Sequence, residues 1–190
     1  MNSLFRFSDL SKPVEKVTLS VASDITTEAY SSKDLNDIAF QFQSNDLVSF
    51  LTKGRFSLYT LASRIIADSG PGELSFCTWG LSEPPLRALL TLKEKGLITK
   101  LQAIVDHRVS ERQPKAFQFF TGIVDDYGYA KSHAKGYFFK TETQFINIIT
   151  TGNVNRNTKN EFGTIIKSES CYNLYHGWIQ ENLQTNKGKK

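Results

Sequence analysis

"SHAKGYFFKTETQFINIITTGNVNRNTKNEFG", residues 132–163, contains two apolar runs, 133–139 and 145–151, separated by the polar turn "KTET". Short apolar runs bounded by turn formers read as strands. A further strand, "FGTIIKS", follows at 162–168. Polar chemistry gathers at the ends of these strands. His133 and Lys135 stand two apart at the start of the first, and Gly152, Asn153, Asn155 and Glu161 lie between the second and the third.

Upstream, strands and helices alternate. "FSLYTLASRIIADSGPG" sets Leu58, Leu61, Ala62 and Ile65 at the spacing of an amphipathic helix, which Gly70, Pro71 and Gly72 end. "ELSFCTW" (73–79) reads as a short buried strand. The next helix has Ser82 at its N-cap, Pro84 and Pro85 in its first turn and Gly96 at its C-terminal end. "ITKLQAIVD" (98–106) is a strand. "PKAFQFFTGIVDD" (114–126) reads as a helix with Phe117, Phe120 and Val124 on one face. "CYNLYHGWIQENL" closes the chain with Cys171, Leu174, Tyr175 and Trp178 on one stripe. Alternation followed by a run of strands predicts an α/β fold, a mixed β-sheet flanked by helices. Ligands on such sheets sit in the loops beyond the strand ends.

The chain is expected to divide into three parts. Residues 1–46 form an N-terminal strand or arm, with "VEKVTLSVAS" (14–23) as its strand. Residues 47–184 form the main domain, and the basic end "TNKGKK" makes 185–190 a frayed tail. A length of 190 residues suffices for one domain with a sizeable core. With 39% hydrophobic and 22% charged residues the composition is that of an ordinary globular protein. A formal charge of +4 favours a polyanionic partner. Cys77 and Cys171 belong to no C-x-x-C pair and read as buried thiols. No His/Cys cluster has the spacing of a zinc site, and no cofactor is expected. No apolar run suffices to span a membrane, and "MNSLFRFSDLSKPVEK" lacks the features of a signal peptide. A cytoplasmic protein without stable membrane association is expected.

If 133–139 is a strand, His133 and Lys135 point to the same side of it. An ammonium beside an imidazole favours the neutral ring, because like charges repel. A neutral imidazole is a nucleophile. The ammonium can hold a phosphoryl oxygen and stabilise its developing charge. Gly152 lets the backbone approach closely, and Asn153 and Asn155 offer uncharged amide donors. Glu161 could accept the second N–H of His133 and fix its tautomer. Together these groups suit attack on phosphorus. Taken alone, the Asn-rich run is ordinary turn composition.

These residues also carry a family resemblance. "HAK", then "TGNVN", then "NE" before a strand resembles the phospholipase D superfamily, with its H-x-K-x4-D, its G-S/G-x-N and a later acid. The resemblance covers roughly residues 55–170. Gly152-Asn153-Val154-Asn155 matches G-S-x-N with Asn153 in the Ser slot, whereas Lys140 stands where the motif has Asp. The resemblance implies a phosphodiesterase that needs no metal and works with two H-x-K motifs. One histidine forms a phosphohistidine and the other protonates the leaving oxygen. His107 and His176 lack the partner lysine, so this chain has a single H-x-K. The second would come from another copy across a two-fold axis, giving a homodimer like the single-motif bacterial endonucleases of the superfamily. His133, Lys135, Asn155 and Glu161 would be catalytic. Gly152, Asn153, Arg108 and Trp79 would bind substrate, with Arg112 beside them lining an anionic groove and Trp79 offering a stacking face. Nucleic acid, DNA before RNA, is the expected substrate. A non-catalytic nucleic-acid-binding module of the same fold is the second expectation, and a lipid phosphodiesterase the third.

Overall fold

The computed structural model describes residues 28–30, 42, 46–52, 54, 56–156 and 159–188. The strand expected at 14–23 lies outside them. Among the described residues, eight strands form one mixed sheet with the order β1-β2-β8-β7-β6-β3-β4-β5. The strands are β1 (Glu28–Tyr30), β2 (Leu47–Leu51), β3 (Gly72–Thr78), β4 (Ile98–Asp106), β5 (Asp126–Ala130), β6 (Gly136–Thr141), β7 (Phe145–Thr150) and β8 (Phe162–Lys167). The β3-β4-β5 portion is parallel, while β2, β8, β7, β6 and β3 pair antiparallel in turn. β1, inside the segment expected to be an arm, pairs parallel with β2.

Helices cover both faces. On one lie α1 (Leu58–Ser69), α2 (Glu83–Glu94), the single turn α3 (Val109–Arg112) and α4 (Pro114–Ile123). α5 (Glu169–Thr185) covers the other. The period-two alternation of the strands feeds both layers. Phe76, Tyr137 and Phe139 join Leu61, Ile65, Leu89 and Phe120 in the larger core. Their neighbours Cys77 and Phe138 turn the other way, onto Tyr172, Ile179 and Leu183 of α5. The α5 face also buries polar groups, with the Asn147 side-chain oxygen left without a partner. Gln180 donates to Gln102 at 2.9 Å, and the Asn147 amide donates to the carbonyls of Ile166 and Ser168. Both cysteines are free and buried, and burial pushes the Cys77 thiol up to about 12.

Several expectations change. The helix expected at 114–126 stops at Ile123, and "DYGYA" is strand β5. Tyr127 is buried there against Phe117 and Phe120, beside the helix end. "LVSFL" is strand β2, unmarked in the sequence reading. Ser82 does occupy the N-cap position of α2, but its hydroxyl accepts the Arg156 N–H at 3.0 Å rather than capping its own helix. Leu174, expected on the buried stripe of α5, is 45% exposed. The stripe runs instead through Cys171, Tyr172, Ile179 and Leu183, one position round the helix.

The tail beyond Thr185 is also placed in part. The Tyr129 N–H donates to the Asn186 carbonyl at 3.0 Å and the Gly188 N–H to the Tyr127 carbonyl at 2.8 Å, so residues 186–188 lie along the edge of β5. Only glycine fits at 188, because a Cβ there would come within 1.9 Å of the Tyr127 ring. These residues belong to the 185–190 segment expected to be a frayed tail.

Candidate active site

The register brings the ends of seven strands to one edge of the sheet. Thr78 pairs with Val105, Asp106 with Ala130, Cys77 and Ile149 with Gly136, Thr150 with Gly163, and Leu51 with Phe162. The loops leaving this edge carry Trp79, Arg108, Arg112, His133, Lys135, Gly152, Asn153, Asn155 and Glu161. This is the carboxyl end of the parallel strands, where open α/β sheets bind ligands.

His133 and Lys135 do not sit on a strand. β6 begins at Gly136, so the two residues belong to the preceding loop and the alternation rule for strands does not orient them. They are brought together differently. The Lys135 Nζ donates to the His133 carbonyl oxygen at 2.6 Å, and the Lys135 carbonyl accepts the Thr150 N–H at 3.2 Å. The His133 side chain is exposed and lies against Trp79, with ring centroids 5.0 Å apart.

Trp79 is a platform for His133 rather than a free stacking face. The Arg112 guanidinium lies 3.8 Å from its ring centroid and donates to its carbonyl oxygen at 2.8 Å. Arg112 also donates at 2.7 Å to Asp106, a carboxylate only 3% exposed. Asp106 in addition accepts the Arg108 backbone N–H. Arg112, read in the sequence as a lining charge of an anionic groove, is thus engaged in holding Trp79. Arg108, by contrast, is exposed.

The 152–156 loop is tied to the end of β3. The Thr78 hydroxyl accepts the Val154 N–H at 3.0 Å and donates to the Gly80 carbonyl at 2.8 Å. The Asn153 side-chain oxygen accepts the Trp79 N–H at 3.2 Å, which gives Asn153 a structural bond in addition to any contact with a ligand. The Ser82 N–H donates to the Val154 carbonyl at 2.9 Å. Gly152 lies close to α1, where a Cβ would press on the Leu58 side chain at 3.1 Å. Asn155 is half-buried, and its side-chain oxygen has no hydrogen-bond partner. That oxygen is an acceptor open to a donor, while the NH2 of the same amide supplies the donors a phosphoryl oxygen would need.

Glu161 faces the loop. Its carboxylate accepts a hydrogen bond from the Thr151 hydroxyl, and its backbone N–H and carbonyl both bond Thr52. The expected bond from His133 to Glu161 is not made. Among the described residues, the His133 imidazole has the ring contact with Trp79 and no hydrogen bond. Lys140, in the slot of the motif Asp, lies far along β6. It stands four positions beyond Gly136, roughly 13 Å at the usual rise. There it pairs across the strands with Glu73, and its Nζ lies 5.5 Å from the Phe145 ring centroid. The substitution therefore does not alter the loops that hold His133.

The other two histidines stand apart. His107 is paired with Asp106 at 3.4 Å. His176 on α5 lies 3.2 Å from the Ser75 hydroxyl and stacks on Tyr172, and burial holds its pKa below the ordinary value. Among the described residues, no three His, Cys, Asp or Glu side chains converge to hold a metal ion, and no helix is long and apolar enough to cross a membrane.

A mixed eight-stranded sheet with H-x-K and G-N-x-N loops at one edge can now be set beside known proteins. No family model and no curated relative matches the sequence. Solved structures do match. Nuc from Salmonella typhimurium, a phospholipase D family member, superposes with a TM-score of 0.60 at 12% identity, covering 76% of this chain and 98% of its own. The chain has the phospholipase D fold. NucT from Helicobacter pylori shares this fold at a TM-score of 0.59 and 11% identity, over 76% of this chain and all of its own length. The polyphosphate kinase of Porphyromonas gingivalis contains it too, with a TM-score of 0.59 and 16% identity over 85% of this chain and 30% of the kinase. Within the phospholipase D fold, the single H-x-K of this chain stands in the loop before β6 and the G-N-x-N in the loop after β7.

Proposed function

We propose that the chain is a metal-independent phosphodiesterase, a nuclease acting on DNA in preference to RNA, whose site is completed by a second copy. What supports this reading is that His133, Lys135 and Asn155 all stand in loops at one sheet edge, on a fold shared with Nuc and NucT. An exposed imidazole on a fixed indole, next to an ammonium, can reach a phosphodiester that lies across the edge. One His133 attacks phosphorus through a ring nitrogen lone pair, and the P–O bond to the leaving strand breaks. His133 of the second copy gives its proton to the departing oxygen. That second imidazole then takes a proton from water, whose oxygen attacks the phosphohistidine and releases the phosphate end. Lys135 and the Asn155 amide would hold the non-bridging oxygens as charge develops. Gly152 and Asn153 shape the loop that presents Asn155, while Glu161 supports it through Thr151. Arg108 is exposed for contact with neighbouring phosphates. The basic charge of +4 favours a polynucleotide in the cytoplasm over lipid.

The test is hydrolysis of bis(p-nitrophenyl) phosphate and of DNA in excess EDTA. Wild-type protein is expected to turn over both, and His133→Ala to lose at least about a thousandfold while keeping its fold. Undiminished cleavage by that variant removes His133 from the chemistry. The departures at Lys140 and Asn153 favour a second reading, a non-catalytic nucleic-acid-binding module. Salt-dependent DNA binding without turnover at any pH would support it.

A further inference from the structure

Beside His133 a cavity of about 420 Å³ opens on the α5 face of the sheet. His133 and Lys135 line it together with the aromatic side chains of Phe138, Tyr175 and Trp178. Phe138 and Tyr175 are already stacked, with centroids 4.9 Å apart and planes 18° from parallel. The wall therefore comes from two elements, β6 and α5, and is preformed. Tyr175 and Trp178 are both half-buried, so each keeps part of its ring toward the cavity. Polar groups accompany them. Among the described residues the Tyr175 hydroxyl makes no hydrogen bond, and burial keeps it protonated as a donor by raising its pKa. The Ser132 hydroxyl accepts the Ala134 N–H at 3.0 Å and retains its own proton for an acceptor.

We propose that this cavity binds the unpaired nucleobase next to the phosphate held by His133 and Lys135, making single-stranded polynucleotide the substrate class. The inference rests on the phosphodiesterase reading for its phosphate and on the cavity for its base. Flat aromatic walls suit a flat ring, and base–aromatic stacking tolerates any sequence. The free hydroxyls of Tyr175 and Ser132 suit the polar edge of a base, whereas an acyl chain has no use for them. A base paired inside a duplex cannot enter a pocket between a sheet and a helix, so the strand must be single or the base turned out of its stack.

The experiment compares two single-stranded oligonucleotides that differ only in one abasic residue beside the cleaved phosphate. The intact strand is expected to be cut about tenfold faster in kcat/KM. Trp178→Leu, which keeps apolar volume, should erase that difference by slowing only the intact strand, and Trp178→Phe should restore most of it. The same contrast in affinity, read by fluorescence anisotropy on His133→Ala protein, needs no turnover. Equal rates and equal affinities for the two strands would overturn the proposal, as would a Trp178→Leu effect of the same size on both. In that case His133-dependent cleavage of bis(p-nitrophenyl) phosphate would still stand as evidence for the catalytic reading. If that cleavage is absent but the affinity contrast persists, the pocket stands and the catalytic reading falls. Trp178-dependent binding to phosphatidylcholine–phosphatidylglycerol vesicles, without discrimination between the strands, would assign the cavity to lipid and overturn the proposal.

Discussion

Arg112 bridges the buried carboxylate of Asp106 and the carbonyl of Trp79 while its guanidinium covers the indole that supports His133. Removing it leaves the buried Asp106 with only the Arg108 N–H and the neighbouring His107 ring as partners and loosens the platform. Arg112→Ala is expected to destabilise the fold by about 2–3 kcal/mol, read as a lower urea midpoint, with Arg112→Lys recovering only part of this because a point charge cannot serve both oxygens and the ring. His176 gives a second residue-scale prediction. Burial is the main cause of its lowered pKa, with Lys100 and Lys140 acting in the same direction and Glu73 opposing them. A neutral imidazole is thus favoured in the folded chain, while the unfolded chain takes up its proton at about 6.5. The unfolded state binds more protons between these values, so stability is full above that pH and falls as the pH drops through the window. His176→Gln should flatten the acid side of the Tm-versus-pH curve, and an unchanged curve would exclude His176 as its source. At this scale the sequence disclosed which residues matter but not their partners. The spacing of His133 and Lys135 was visible, whereas the role of Trp79 depends on Arg112, far away in the chain, and no local pattern encodes that contact.

Elements were legible where their pattern was strong. β4 and the start of α1 fall where apolar periodicity puts them. β5 escapes the sequence reading because the helix expected at 114–126 takes in Asp126, and its strand character comes from pairing with β4 and from burial of Tyr127. The first residues of "HAKGYFF" read as strand because the apolar run is continuous with them, yet pairing begins only at Gly136. On α5, Leu174 was assigned to the core by hydrophobicity, but the faces of Tyr172, Tyr175 and Trp178 against β6 and β7 set the helix rotation and leave Leu174 outside. The consequence is measurable. Leu174→Asp should change stability by no more than about 0.5 kcal/mol, and Ile179→Ala, at a fully buried site, should cost about 2–4 kcal/mol. Comparable losses from both would mean that α5 is rotated.

For the whole molecule, the fold class followed from the order of elements, and the loops at one sheet edge follow from the register. What no single chain contains is the second H-x-K. The proposed chemistry needs a nucleophile and a general acid, and one exposed His133 supplies one of them. A two-fold axis at this edge would bring two such loops to one phosphate. The most direct test is a mixed dimer, purified with two affinity tags, that pairs one wild-type chain with one His133→Ala chain. On the proposal that both histidines serve a single composite site, the mixed dimer is predicted to retain almost none of the wild-type turnover of single-stranded DNA. Retention of about half the wild-type rate, as two self-sufficient subunits would give, or full activity from a monomer, would contradict the account.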